Sequence, residues 1–398
     1  MRRSLRRSLT NRELCFGVSQ RRGPRHKGFS WGGVERFSAA TTVLFLIAAL
    51  AAEVPAPSTL RAAAQPSGLL IGAAVRPAQL SEPAYATTLA REFNMLEPED
   101  ALKWEVLRPD PQSFDFSHAD QLVDFALRHN MKIRGHTLVW HRQLPAWLST
   151  GNFSSAQLSQ LLETHIKTVV AHYRGKVFAW DVINEAFDEG PRTGQPRETL
   201  WSNISTVLEQ TSNSQPATRD SKLAYIAQSF RWAHEADPDA LLFYNEAEAD
   251  ELNPKSDAIY AMLQKFKRNS VPIDGIGLQM HISNLHPNID SISANIARFT
   301  ALGLQVHLTE MDVSLPVDRS GNATPADLAS QAEIYRQIAA ACFSHHGCTA
   351  IQTWGFTDRY SWIGSHSKHT KGAALLFDRN YCPKPAYEAL RQAMSQAR

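Results

Sequence analysis

The sequence of 398 residues predicts an α/β fold, a single (β/α)8 TIM barrel. From Leu69 onward, short apolar runs of β type alternate with amphipathic stretches, which is the pattern of βα units around a parallel sheet. Eight such runs can be counted. The length is compatible with this fold, because barrels of this kind commonly span about 250 residues or more as one domain.

The predicted strands follow one another in chain order as Leu69–Val75, Phe93–Glu97, Lys132–Val139, Phe178–Asn184, Leu241–Asn245, Gly275–His281, Gln305–Glu310 and Ala350–Phe356. The stretches between them have apolar residues at every third or fourth position, which predicts helices. The clearest are Ala156–Tyr173, Lys222–Ala236 and Pro325–Cys342. Eight strands in this order predict one closed barrel.

The distribution of charge argues against a nucleic-acid partner. Residues 1–52 hold ten of the 41 Lys and Arg but only Glu13 and Glu35 of the 39 acidic residues, so the remainder carries 31 basic and 37 acidic side chains. Nucleic-acid binding needs clustered Lys and Arg to neutralise phosphates, and the acidic remainder has no such stripe. We therefore expect a neutral polymer as the partner of this protein.

The chain divides by composition into three parts. Residues 1–52 form a basic n-region followed by the apolar run of residues 38–52, which is shorter than the about 20 residues that a membrane span needs. This predicts a signal peptide and export to the periplasm or the medium, with an uncleaved membrane anchor as the alternative. Residues 53–67 are predicted to be a Pro- and Ala-rich linker, and residues 68–398 the barrel, which we expect to be monomeric.

Polar and aromatic residues cluster where the predicted strands end. In a TIM barrel these ends form the C-terminal face, where active sites lie. A full ring of such residues predicts a functional site at the mouth of the barrel: Glu99, Lys103, Trp104, His136, Trp140, His141, Asn184, Glu185, Asn245, Gln279, His281, Glu310 and Trp354. No C-x-x-C pair exists and the histidines lack further ligands at metal spacing, so we expect neither a metal nor a cofactor.

Two carboxylates at strand ends predict glycoside hydrolysis. Glu185 in W-D-V-I-N-E-A ends the fourth predicted strand and Glu310 in V-H-L-T-E-M-D ends the seventh, so both face the mouth although 125 residues separate them. In glycosidases one carboxylic acid protonates the leaving oxygen and a carboxylate acts at the anomeric carbon. A separation of about 5 to 5.5 Å gives retention of configuration.

Neighbouring residues divide the roles of the two carboxylates. His281 is expected to donate a hydrogen bond that keeps Glu310 ionised as the nucleophile, with Asp312 orienting the imidazole. Glu185 is expected to be the acid/base, because burial and the negative charge of Glu310 would raise its pKa. Asn184 is placed to donate a hydrogen bond to a sugar 2-hydroxyl, and such a contact strengthens in the transition state.

The sequence resembles glycoside hydrolase family 10, the xylanases, from Leu69 to Gln396. The resemblance is carried by the following motifs: F-N-M-L-E-P-E-D-A-L-K-W (93–104), G-H-T-L-V-W-H (135–141), W-D-V-I-N-E-A-F (180–187), G-I-G-L-Q-M-H (275–281), L-T-E-M-D (308–312), W-G-F-T-D (354–358) and L-L-F-D-R-N-Y-C-P-K-P-A-Y (375–387). It implies a retaining endo-1,4-β-xylanase acting on xylan and xylo-oligosaccharides, with Glu185 as acid/base and Glu310 as nucleophile.

The resemblance also implies a set of substrate-binding residues at the strand ends. They are Glu99, Asp100, Lys103, His136, Trp140, Gln143, Asn184, Asn245, Gln279, His281, Trp354 and Trp362. For Trp104, Trp147 and Trp180, packing in the core is at least as good an interpretation as contact with sugar. A disulfide between Cys342 and Cys348 is implied as well, in agreement with the short loop that the two cysteines could close.

Two positions depart from the family pattern. Asp100 stands where Asn is usual, which changes a hydrogen bond on the glycone side. After the fifth strand the family commonly reads Y-N-D-Y-N, whereas this chain reads Y-N-E-A-E, so Ala247 removes an aromatic platform on the aglycone side. Two other functions remain open at this point: a β-1,4-glucanase with the same pair of carboxylates, and a non-catalytic glycan-binding barrel.

Overall fold

The computed structural model describes residues 59–205 and 221–397, and within them eight parallel strands close into a barrel. The predicted signal segment of residues 1–52 lies outside the described residues. The strands are β1 (Leu70–Val75), β2 (Met95–Pro98), β3 (Lys132–Val139), β4 (Ala179–Asn184), β5 (Leu241–Glu246), β6 (Gly275–Leu278), β7 (Gln305–Val313) and β8 (Cys348–Thr353).

Each strand pairs in parallel with the next, and β8 closes the barrel by pairing with both β7 and β1. In the β8–β1 pair Ala350 lies opposite Leu70, and Thr353 lies opposite Ala73. All eight predicted strands are present, with ends displaced by a few residues. The predicted fold class is therefore confirmed.

Helices surround the barrel and cover the outer faces of its strands. In the described part of the chain they are α1 (Leu60–Ala64), α2 (Pro83–Glu92), α3 (Trp104–Leu107), α4 (Ser117–Arg128), α5 (Ala146–Ser149), α6 (Ser155–His172), α7 (Ala224–Ala236), α8 (Pro254–Arg268), α9 (Ile289–Ala301), α10 (Pro325–Phe343), α11 (Ile363–His366) and α12 (Pro385–Gln396). The three clearest predicted helices correspond to α6, α7 and α10. None of the helices in the two described ranges is both long enough and apolar enough to span a membrane.

Short elements complete the structure. Single 3-10 turns occur at Gln65–Ser67, Pro77–Ser81, Gly190–Arg192, Trp201–Ile204 and Ser221–Leu223. A two-residue strand, His281–Ile282, extends the sheet beside the end of β7, and the pair Leu315–Pro316 and Lys371–Gly372 forms an antiparallel ribbon. The predicted disulfide between Cys342 and Cys348 is present and joins the end of α10 to the start of β8.

A polar layer fills the barrel below its mouth. Arg134 of β3 forms a buried ion pair with Asp181 of β4, and its guanidinium donates to Nδ1 of His307 of β7 over 2.7 Å. Burial and the neighbouring Arg134 hold the pKa of His307 well below its usual value, so this ring is neutral and accepts the hydrogen bond. Within this group the charge of Arg134 is paired with that of Asp181, and His307 is neutral.

The segment predicted as a linker is part of the folded domain over its described residues. Thr59 caps α1 by accepting from the amide of Ala62 over 3.0 Å, and Leu60 and Ala64 are fully buried. The amide of Leu60 donates to Glu92 at the end of α2. The predicted boundary at residue 68 is therefore wrong, because the alanines of this segment are small enough to pack closely against the barrel.

Candidate active site

A ladder of backbone hydrogen bonds beyond the strand ends places Glu185 and Glu310 on one face of the barrel. The amide of Glu185 donates to the carbonyl of Asn245, and the amide of Gln279 donates to that of Glu246. The amide of Glu310 then donates to the carbonyl of Gln279 over 3.0 Å. The ends of β4, β5, β6 and β7 are thus tied in register, and both carboxylates lie at the mouth of the barrel.

Glu310 is buried and is held by two hydrogen-bond donors. Nδ2 of Asn245 lies 2.8 Å from Oε1 of Glu310, and Nε2 of His281 lies 3.2 Å from Oε2. Nδ1 of His281 lies 3.0 Å from Asp312, whose same oxygen accepts from the indole of Trp362 over 2.9 Å. The expected contacts of His281 with Glu310 and Asp312 are therefore present.

His281 is a cation in this arrangement. Burial lowers its pKa, but the opposite charges of Asp312 and Glu310 and their hydrogen bonds outweigh burial and hold the pKa well above its usual value. The imidazolium therefore lies between two carboxylates and can donate to both.

Asn245 does not face the cleft, in contrast to the expectation that it binds substrate. Its side chain is fully buried and all its polar atoms are used: Nδ2 donates to Asn184 and Glu310, and Oδ1 accepts from the hydroxyl of Thr309 over 2.7 Å. Gly277 makes room for it, because a Cβ at that position would lie 2.1 Å from Oδ1 of Asn245. Asn245 therefore positions Glu310 from below.

Glu185 follows β4 in a left-handed conformation with φ of 57°, which directs its side chain across the mouth. Three donors surround its carboxylate: the indole of Trp140 at 2.9 Å, Nε2 of Gln279 at 3.1 Å and Nδ2 of Asn184 at 3.4 Å. Gln279 also donates to Asn184. Gln279 and Trp140, which were predicted to bind substrate, therefore donate to Glu185 in this structure.

The expectation of a raised pKa for Glu185 is wrong. Burial raises the pKa, but the hydrogen bonds from Gln279 and Trp140 lower it by more, and the net pKa lies below the usual value. The sequence could not give this result, because the sign depends on how many donors reach the carboxylate.

A charged group forms one wall of the mouth at the ends of β1 and β2. Arg76 contacts Glu99 over 2.7 Å and Asp100 over 2.9 Å. Lys103 lies 3.5 Å from Asp100, and Gln143 donates to the same carboxylate. Two cations therefore compensate the charge of Asp100. Sequence reasoning missed Arg76, although its position directly after the first predicted strand could have indicated it.

Aromatic side chains line the mouth beside this group. The ammonium of Lys103 lies 4.8 Å from the ring centre of Trp140 and 5.4 Å from that of Trp354. Trp354 also packs edge to face against His136 and His281. Packing in the core was one interpretation for three other tryptophans. Trp104 and Trp180 are buried, as that interpretation predicts, whereas Trp147 is only partly buried.

A cleft of about 220 Å³ continues from His281 along the opposite wall. Its lining is mainly acidic and polar and consists of Glu248, Asp250, Glu251, Asn253, His281, Ile282, Ser283, Asn284, Pro287 and Ile292. Ala247, partly buried, lies next to Glu248 at the start of this wall. As expected from Ala247, this position provides no aromatic ring. The neighbouring wall of the cleft presents polar groups instead.

Glu97 lies at the floor of the mouth and was not singled out in the sequence, where it appears as one acidic residue inside an apolar strand. It is fully buried, 3.4 Å from Nδ1 of His136 and 3.8 Å from Arg134. Ligand atoms of Glu97, His136 and Glu310 lie within 4.8 Å of one another. The neighbouring guanidinium competes with a cation there, so we assign no metal to this group.

The chain is similar to proteins of known family over most of its length. The model of glycosyl hydrolase family 10 matches residues 59–393. Endo-1,4-beta-xylanase B of Thermotoga neapolitana is 42% identical over 312 residues, 78% of this chain and 84% of that protein. Beta-1,4-xylanase of Dictyoglomus thermophilum is 39% identical over 324 residues, 80% and 86% of the two chains. Xylanase 10B of Thermotoga petrophila, crystallised with xylobiose, superposes with a TM-score of 0.77 at 41% identity, covering 85% and 97%.

Proposed function

The chain belongs to glycosyl hydrolase family 10, and on that premise we propose that it cleaves internal β-1,4-xylosidic bonds of xylan with retention of configuration. The observation that carries the proposal is the pair of strand-end carboxylates, each with its own set of donors. Relatives named as xylanases over most of the chain support the substrate class. The proposed reaction is a double displacement through a glycosyl-enzyme intermediate.

In the first step Glu310 acts as nucleophile. A carboxylate oxygen of Glu310 forms a bond to the anomeric carbon as the bond from this carbon to the glycosidic oxygen breaks. Glu185 gives its proton to the departing oxygen. Asn245 and the His281 imidazolium hold the attacking carboxylate in one orientation, so little conformational freedom is lost on reaching the transition state.

In the second step Glu185 acts as base. It takes a proton from a water molecule whose oxygen attacks the anomeric carbon, and the bond to Glu310 breaks. In the first step the bound sugar chain excludes bulk water from Glu185, which raises its pKa and offsets the lowering by Gln279 and Trp140. The same residue can then release and accept a proton in alternation.

The surrounding residues suit a neutral polysaccharide. Indole rings such as Trp140 and Trp354 offer apolar faces to pyranose rings, and Glu99, Lys103 and His136 can replace the water partners of sugar hydroxyls. We propose Asn184 as donor to the 2-hydroxyl beside the scissile bond, because it is anchored by Asn245 and Gln279.

Azide rescue of two variants tests the assignment of roles. Glu310→Ala should be almost inactive on an activated aryl xylobioside, and azide should restore turnover to an α-glycosyl azide. Glu185→Ala should give the β-azide from the same substrate, because the nucleophile is intact. The opposite stereochemistry would exchange the two roles.

The substrate is tested separately with the unmodified protein. Xylohexaose cleavage followed by proton NMR reports the bond cut and the anomer released first, and internal cleavage giving the β-anomer is expected. A parallel assay on xylan and carboxymethyl cellulose separates a xylanase from a β-1,4-glucanase. Binding of xylan without release of reducing sugar would instead support a non-catalytic glycan-binding protein.

We also propose that the protein is exported, on the basis of the basic n-region and the short apolar run of residues 38–52. N-terminal sequencing of protein collected from the medium or periplasm tests this. A new N-terminus near residue 52 is expected. An intact N-terminus in the membrane fraction would support an anchor instead.

A further inference from the structure

The backbone that carries Glu185 is fixed by two side chains of β5. The amide of Ala186 donates to the hydroxyl of Tyr244 over 3.2 Å, and the amide of Phe187 donates to Oε2 of Glu246 over 3.3 Å. Glu185 has a positive φ, a conformation that costs free energy for a residue with a side chain. The two amides that follow it are therefore held in place from β5.

The carbonyls of the same segment are held from the other side. Nε of Arg197 donates to the carbonyl of Glu185 over 3.2 Å, and its Nη2 donates to that of Phe187 over 2.8 Å. Arg197 binds carbonyls and the β5 pair binds amides, so the segment from Glu185 to Phe187 is fixed on both edges.

Glu246 is a fully buried carboxyl whose surroundings are charged and polar. The hydroxyl of Tyr244 donates to Oε2 of Glu246 over 2.5 Å, and Nζ of Lys255, also fully buried, lies 3.0 Å from Oε1. The groups that face it come from four elements: Tyr244 from β5, Lys255 from α8, Tyr225 from α7 and Glu185 from the end of β4. Lys255 also lies 3.8 Å from Glu189.

We propose that Glu246 is a positioning residue for the acid/base: with Tyr244 it fixes the backbone after Glu185, and its negative charge favours the protonated form of Glu185. The proposal rests on the proposed function, since it gives Glu246 its effect through the proton of Glu185. Nothing in the geometry requires Glu246 to touch the sugar, because it is buried beneath the segment that it holds.

The pKa of Glu246 lies near neutral pH. Burial raises its pKa, Lys255 and Tyr244 lower it, and the charge of Glu185 raises it again, to about 7. Above this pH Glu246 is ionised and repels the negative form of Glu185, which keeps the acid protonated to higher pH. Without this charge Glu185 would lose its proton at lower pH.

The variant Glu246→Gln tests the proposal through the pH dependence of kcat/KM. Phenyl xylobioside needs protonation of its leaving oxygen, whereas 2,4-dinitrophenyl xylobioside does not. On the phenyl substrate the basic limb should move to lower pH by roughly half to one unit, as expected for loss of a nearby like charge. On the dinitrophenyl substrate kcat/KM should change less than about twofold above pH 5.

Two further variants separate charge from structure. Glu246→Asp keeps the carboxylate beside Lys255 and should keep the basic limb within about 0.3 unit of the unmodified protein. Tyr244→Phe frees the amide of Ala186, so it should lower kcat on the phenyl substrate at every pH. Because it also removes a hydrogen bond that lowers the pKa of Glu246, it should move the basic limb in the same direction as Glu246→Gln but by less. Glu163→Gln, which removes a partly exposed carboxylate on α6, is the control for loss of one charge.

The outcomes are distinct from those of the proposed function. If the unmodified protein hydrolyses neither xylobioside, the proposed function fails. If it hydrolyses both, the proposal for Glu246 is overturned when Glu246→Gln leaves the basic limb in place. It is also overturned when Glu246→Gln and Glu246→Asp both lower kcat/KM equally on the two substrates. Thermal unfolding of each variant identifies one that does not fold, and the aspartate variant then decides.

Discussion

Nε2 of His281 lies 3.2 Å from Oε2 of Glu310, so the ring of a partly buried histidine donates directly to the proposed nucleophile. The other ring nitrogen contacts Asp312, and the two carboxylates together keep the ring protonated. The charge on this histidine therefore depends in part on Asp312, a buried residue beside the nucleophile. This relationship predicts how the enzyme responds to loss of Asp312.

Asp312→Asn should narrow the pH range of activity from its basic side. In the unmodified protein the raised pKa keeps His281 protonated across the working range; without Asp312 the pKa falls toward its usual value of about 6.5. Above that pH the ring loses its charge and its hydrogen bond to Glu310 weakens, so kcat/KM should fall about tenfold by pH 7.5. The pH profile measures this. Asp239→Asn, exposed before β5, is the matched control, and coincident profiles would contradict the prediction.

Asn245→Ala should lower kcat with little change in KM. The variant removes a donor to Glu310 and one of the two donors that hold Asn184, the other being Gln279. A hydrogen bond to a charged group contributes about 1.5 to 3 kcal/mol. This corresponds to a fall in kcat of roughly 10- to 100-fold. Steady-state kinetics on xylohexaose measure both constants. Thr309→Val, which removes the donor to Oδ1 of Asn245, should have a smaller effect of the same kind. A raised KM with normal kcat would mean that Asn245 contacts the sugar.

Glu97→Gln should stabilise the protein increasingly as the pH rises. Burial is the main reason that the pKa of Glu97 is raised well above its usual value, with Asp181 adding to it and Arg134 opposing it. A raised native pKa means that folding takes up a proton above the unfolded pKa of about 4.3, which costs about 1.4 kcal/mol per pH unit until the native pKa is reached. Glutamine has no such cost.

The measurement is urea unfolding of both proteins from pH 4 to pH 7. Their free energies of unfolding should be similar near pH 4 and diverge in favour of Glu97→Gln at higher pH. Glu163→Gln, at a partly exposed position on α6, should show no such trend. A difference that is constant with pH would mean that Glu97 is ionised in the folded protein.

Ala247→Tyr should strengthen binding on the aglycone side. Ala247 starts the wall of the acidic cleft and offers no ring on which a sugar can stack. A tyrosine there adds an apolar face, which should lower KM for xylo-oligosaccharides that extend beyond the cleavage point and shift the product pattern. Product analysis on xylopentaose and xylohexaose measures this, with Ala247→Ser as the control. Unchanged products and KM would disprove the idea.

The sequence predicted the barrel and both carboxylates because each depends on order along the chain. Strands alternate with helices, and a residue that ends a strand must lie at the mouth, so Glu185 and Glu310 could be placed without coordinates. The hydrogen bonds between side chains depend on distances across the barrel instead. Asn245 illustrates this. Its position at a strand end is compatible with a side chain that faces the sugar and with one that contacts Glu310 from below, and the structure has the second arrangement.

The predictions for the pKa of Glu185 and for the role of residues 59–67 were wrong for a different reason. The first is a difference between burial and several donors, and its sign is not encoded in any one residue. The second is a matter of composition, because an alanine-rich segment suits both an extended connection and a short helix with a close-packed face.

Helix α1 has a practical consequence for preparing this protein. Its Leu60 amide and the hydroxyl of Tyr387 from α12 both donate to Oε2 of the buried Glu92. A recombinant chain begun at residue 68, where composition alone would place the start, would remove the Leu60 donor to Glu92 and expose the apolar side chains of β1, α2 and α12 against which α1 packs. Such a truncation should accumulate in inclusion bodies, whereas one begun at or before residue 59 should stay in the lysate supernatant.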